Sequence, residues 1–115
     1  MRLVSAEDVA ALVRQLIEPG TTAAWLDHRD RPMWDEANGI TDHDMFVAVH
    51  GGYGYISFQD STIGKCYSVG ASESPGVEYD DDEFPPGSGI TTDQLTDAIT
   101  EFLETRAIPT CITWR

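Results

Sequence analysis

MFVAVHGGYGYISF, residues 45–58, decides the fold. Two runs rich in β-branched and aromatic residues, Met45 to His50 and Tyr53 to Phe58, flank the dipeptide Gly51–Gly52. A two-residue loop between strands needs a primed turn with positive φ at both central positions, which glycine adopts without steric penalty. The stretch therefore reads as a tight antiparallel hairpin, and Gly54 suits a bulge in its second strand.

Working outward, further strand signals surround this hairpin. Thr22 to His28 is one, with Arg31 to Trp34 as its expected return partner across the polar Arg29–Asp30. Lys65 to Val69, Val77 to Tyr79 and Thr110 to Trp114 are the others. Short connections predict antiparallel pairing between sequence neighbours. Asp80 to Gly89, an acidic run followed by Pro and Gly, reads as a surface excursion.

Two helices frame the strands. The first runs from about Ala6 to Glu18, with Ser5 as N-cap and Glu7 and Asp8 at the positive helix end. Val9, Leu12, Val13, Leu16 and Ile17 form one apolar stripe, and Pro19–Gly20 stops the helix. The second begins at Thr91, where Thr91 and Gln94 match a capping box. Leu95, Ala98, Ile99, Phe102 and Leu103 share its apolar face, while Asp93, Asp97, Glu101 and Glu104 face outward. RAIPTCITWR, residues 106–115, then reads as a Pro-containing connection and a last strand, docked because a Trp near a chain end must be covered.

Each helix has one apolar face, so both pack on the same side of a sheet. The fold class is α+β: an antiparallel sheet of about five to seven strands with an N-terminal and a C-terminal helix on one face. At 115 residues the chain is a single domain, residues 1–115, able to bury one modest core.

Twenty Asp and Glu against 7 Lys and Arg leave a formal net charge of −13. That charge opposes binding to nucleic-acid phosphates and to anionic membrane surfaces. It favours a basic protein partner, and it also serves solubility. No apolar run approaches the ~20 residues needed to span a bilayer. Glu7, Asp8 and Arg14 interrupt any signal-peptide core, so a cytoplasmic location is expected. Cys66 and Cys111 stand apart in apolar surroundings without CxxC spacing, which predicts buried reduced thiols.

Catalytic signatures are weak. His28, His43 and His50 are the candidate ligands or bases, and Asp42–His43–Asp44 is the most suggestive group. Adjacent residues of a strand point to opposite faces, so that group does not converge on one ion from a strand. Neither cysteine has a base and acid arranged around it, and neither Ser57 nor Ser68 lies in a G-x-S-x-G elbow. HGGYGY lacks the third glycine of a dinucleotide loop and precedes a strand rather than a helix. DDDE, residues 80–83, lacks the ligand spacing of an EF-hand. It fits a solvated face, or a docking patch whose flanking Tyr79 and Phe84 supply aromatic anchors. MWDEANG places Trp34 beside Asp35 and Glu36, and Trp34 fits either a core or an interface anchor.

Four pieces in order resemble a known family: YGYISF; YSVG followed by VEYDDDEFPPGSGI; QLTDAITEFLET; and the closing R-x-x-P-T-C-I-T-W. Together they are similar to the Imm-one immunity proteins of bacterial polymorphic toxin systems, over roughly Met45 to Trp114. The resemblance implies an inhibitor of a toxin domain, often a nucleic-acid deaminase. It also implies that Pro109, Ile112 and Trp114 are fold determinants. The resulting expectation is a cytoplasmic, non-enzymatic protein without cofactor or metal, which occludes a basic toxin. Its expected partner-binding residues are Tyr79, Asp80, Asp81, Asp82, Glu83, Phe84, Trp34, Asp35 and Glu36. The competing readings are a small metal-dependent enzyme using Asp42, His43 and Asp44 or the DDDE loop, and an accessory subunit of a larger complex.

Overall fold

The computed structural model describes residues 5–18, 23–26, 33–35, 37, 40–41, 44–79 and 83–115. Its centre is the hairpin of β4, Asp44–His50, and β5, Tyr53–Gln59, paired in unbroken antiparallel register from Asp44↔Gln59 to His50↔Tyr53. Gly51 and Gly52 take φ of 60° and 84°, as a primed turn requires. Gly54 pairs in register with Val49, so no bulge forms there. Its hydrogen atom serves another purpose: a Cβ at this position would lie 2.8 Å from the Leu95 Cβ. Gly54 thus lets a helix approach β5 closely.

Around the hairpin lie β1, Ala24–Leu26; β6, Cys66–Val69; and β9, Thr113–Trp114, giving a five-stranded antiparallel sheet in the order β1-β4-β5-β6-β9. Here the expected pairing of β1 with Arg31 to Trp34 is corrected. β1 pairs with β4, while β2, Met33–Asp35, pairs with β3, Ile40–Thr41, in a separate two-stranded sheet. Burial explains the choice for β1: on β4, Leu26 lines up with Met45 and joins the main core.

α1, Ala6–Ile17, is capped by Ser5, whose Oγ accepts from the Asp8 N–H at 3.3 Å. α2, Thr92–Thr105, carries the expected capping box, with Thr91 and Gln94 exchanging side chain–backbone bonds of 3.0 Å. Val9, Leu12, Val13 and Leu16 of α1 meet Leu95, Ala98, Ile99 and Phe102 of α2. Both helices cover one sheet face through Met45, Val47, Ile56 and Phe58. Ile17, expected in the α1 stripe, is instead 54% exposed.

The other face has its own core of Phe46, Ala48, Tyr55, Val77 and Phe84. Its cover is a second hairpin, β7, Val77–Glu78, paired with β8, Glu83–Phe84. This corrects the surface excursion expected over Asp80 to Gly89. Phe84, Ser88 and Gly89 are buried, and Gly54 and Ile90 exchange backbone bonds of 2.6 and 2.8 Å. Gly70 and Gly89 allow backbone to pass so closely there that a Cβ on Gly70 would collide with the Gly89 carbonyl.

The last segment is docked, as its Trp demands. Trp114 Nε1 donates to the Pro109 carbonyl at 2.7 Å, and the indole lies edge-on to Phe58. Pro109 is fully buried, and Ile112 and Trp114 pack against the helix-side core, consistent with roles in the fold. The strand starts later than expected, because residues 110 and 111 are held in a turn by Glu101. Cys111 is therefore exposed in that turn, contrary to the buried thiol expected; Cys66 is half-buried, and both are free.

Candidate functional site

The sheet face opposite the helices carries a row of side chains set by strand register. Trp25 of β1 opposes Phe46 of β4, which opposes Ser57 of β5, which opposes Tyr67 of β6. Ser57 is the small member of that row, and Phe84 fills the space beside it. The Phe84 ring stacks on Phe46 at 5.7 Å with 7° between planes, and meets Tyr55 at 5.4 Å and Tyr67 at 6.0 Å. Val77 and Phe84 point down onto the sheet, so their neighbours Glu78 and Glu83 point out and are exposed.

Tyr79 directly follows β7. Its ring is half-buried, 6.0 Å from Phe46 and 6.3 Å from Phe84. The Trp25 indole also packs on Phe46, at 4.5 Å, and is 39% exposed. The Lys65 ammonium stands 5.8 Å from the centroids of both Trp25 and Tyr67, within cation–π range of each. Asp44 begins β4 two residues before Phe46, on the same face, and is exposed.

Burial pushes the Tyr79 phenol above its ordinary value. Tyr55 is also raised, chiefly by burial and then by Tyr53 and Tyr79; its hydroxyl donates to the Pro75 carbonyl at 2.8 Å. Both phenols are thus neutral donors at physiological pH. The Cys66 thiol is pushed up by burial and by Asp60, against an opposing pull from Lys65. Cys111 is raised by desolvation and then by Glu101, which disfavours the reactive thiolate despite exposure.

The expected partner-binding residues fall as follows. Glu83 is exposed on β8, Tyr79 is half-buried beside it, and Phe84 is fully buried, so its ring is a core ring rather than a surface anchor. Asp80, Asp81, Asp82 and Glu36 lie outside the described residues; the three aspartates belong to the connection between β7 and β8. Trp34 and Asp35 belong to β2. Asp42 and His43 also lie outside the described residues, and among the described residues no three His, Cys, Asp or Glu groups gather as metal ligands. A cavity of about 40 Å³ between Tyr67, Pro85–Ser88 and Arg115 has room for a water or two rather than a substrate. Trp25 was missed from the sequence. Alternation within Ala24–Trp25–Leu26 was the available signal, since it sends Trp25 and Leu26 to opposite faces.

The fold defines an α+β sandwich, with helices on one sheet face and the β7–β8 hairpin on the other. Residues 1–115, the whole chain, match the family model of the immunity protein Imm1, and the chain belongs to that family. It is an immunity protein directed against a toxin. No curated protein matches the chain.

Proposed function

We propose that this immunity protein neutralises its cognate bacterial toxin domain by direct, non-catalytic binding that occludes the toxin's working site. The toxin belongs to a polymorphic system and acts on nucleic acid in the cytoplasm, in the manner of a deaminase. A toxin that handles nucleic acid needs a cationic groove for phosphate, and an acidic inhibitor can occupy that groove instead. The observation that carries this reading is the whole-chain family match in a chain of net charge −13.

The acidic connection of the β7–β8 hairpin, Asp80 to Glu83, provides the electrostatic part of the contact, with Tyr79 beside it. Trp34, Asp35 and Glu36 contribute a second cluster. Among the described residues no helix is long and apolar enough to cross a membrane. Co-expression with the toxin domain encoded beside this chain is the direct test. Cells survive if the reading holds; death in the presence of soluble, folded protein overturns it.

A further inference from the structure

We infer that the toxin docks on the open margin of the hairpin-covered sheet face, with the Trp25 indole as its central anchor and a toxin arginine as the group that stacks there. The inference rests on the toxin-inhibitor reading above, and it concerns where the inhibitor binds and what chemistry it receives.

Three observations converge. The first is exposure: Trp25 is 39% exposed, although an indole is expensive to leave in water. It lies on a rigid platform, packed at 4.5 Å on Phe46, which is itself sandwiched against Phe84. A large aromatic fixed in place loses little entropy on binding, which suits an interface hot spot.

The second observation concerns what the surface accepts. The Lys65 ammonium already stands 5.8 Å from both the Trp25 and Tyr67 rings. The aromatic face thus already holds a cation, and an incoming arginine has to displace the flexible Lys65 side chain from it. A guanidinium suits such a face better than an ammonium, because it is planar, stacks, and is more weakly hydrated.

The third is charge. Asp44 is exposed on the same sheet face, two residues from Phe46, and Glu78 and Glu83 are exposed on the covering hairpin, in a chain of net charge −13. A basic protein is steered towards a surface of this charge. The helix side offers a poorer alternative, since its apolar stripe is committed to the core and, among the described residues, Ile17 is its one exposed large apolar side chain.

The experiment uses the full chain and a catalytically inactivated toxin domain encoded by the neighbouring gene. Hydroxyl-radical footprinting of the unsubstituted complex, read residue by residue, should show loss of oxidation at Trp25 and none at Ile17. Trp25→Ala should dissociate at least about 30-fold faster, the rate equivalent of a hot-spot residue. Ile17→Ala should dissociate at the parental rate. Because Trp25→Ala removes a partner of Phe46, a Glu78→Lys/Glu83→Lys variant provides a second reading: it should slow association, most strongly at low salt. A tight complex with Trp25 still oxidised, or with parental kinetics for the folded Trp25→Ala protein, overturns the inference and leaves the inhibitor reading standing. Absence of any complex with the unsubstituted chain overturns both.

Discussion

Replacing Phe84 by Ala should release the β7–β8 hairpin from the sheet. The ring has no exposed surface and touches Phe46, Tyr55, Tyr67 and Tyr79. Burying a phenylalanine removes at least about 150 Å² from water, worth about 4 kcal/mol at ~25 cal/mol per Å². A compact unfolded chain already buries part of that area, which lowers the figure to about 3 kcal/mol. Lost ring–ring geometry restores about 1 kcal/mol, so the expected cost is about 3–4 kcal/mol. Two-residue strands cannot hold the hairpin without this ring, so opening is local where the hairpin's docking energy is smaller than that sum. Urea unfolding measures the global loss, and hydrogen exchange at whichever amides of the β7–β8 ladder are protected in the parent measures local opening. A loss below about 1 kcal/mol with slow exchange retained at those amides would refute Phe84 as the fastener.

The other predictions concern the helix side, the C-terminal turn and the acidic tip. Gly54→Ala places a methyl group 2.8 Å from Leu95 Cβ and 3.3 Å from the Thr91 carbonyl. It should destabilise the fold by about 1–3 kcal/mol, read as a lower urea midpoint, and a neutral effect would refute the close approach of α2. Hydrogen bonds from the Thr110 backbone first, then from its side chain and Cys111, hold the Glu101 carboxyl below its ordinary value of 4.5. A depressed carboxylate pKa stabilises the fold above the ordinary value, and that contribution disappears as pH falls through the folded value. Glu101→Gln should therefore cost about 1 kcal/mol at neutral pH, an exposed-site figure, with parent and variant converging in acid melts. Neutralising Asp80, Asp81, Asp82 and Glu83 to Asn and Gln should slow toxin association and flatten its salt dependence while leaving the melting temperature unchanged. Parental association rates in low salt would make the acidic tip a solvated face.

Much of the framework was legible because it is encoded locally. The Gly51–Gly52 turn, the Ser5 cap and the Thr91–Gln94 box each need only neighbouring residues, and each forms as the sequence predicts. The helix stripes were legible for the same reason, apart from Ile17 at the end of α1. Pairings between distant segments were harder. Nothing local to Ala24–Leu26 says that it joins β4 rather than the next segment, and nothing local to Thr113–Trp114 names β6 as its partner. Phe84 was misread because a two-residue strand carries no periodicity, and its acidic and Pro-rich flanks have the composition of a loop. The margin around Trp25 was hidden for a related reason. An exposed indole follows from how far the hairpin reaches across the sheet, which is a tertiary quantity.

The two faces of the sheet carry separate cores, and the separation bears on how such a protein diverges. Met45, Val47, Ile56 and Phe58 lock the helices in place, while Phe46, Tyr55 and Phe84 fasten the hairpin. Changes to exposed positions such as Glu78 and Glu83 are therefore energetically independent of the helix-side packing, and their effects add to it rather than couple with it. A lineage can rewrite those positions step by step with little effect on folding at each step. A framework that tolerates an altered tip is a means of changing adversaries without changing folds.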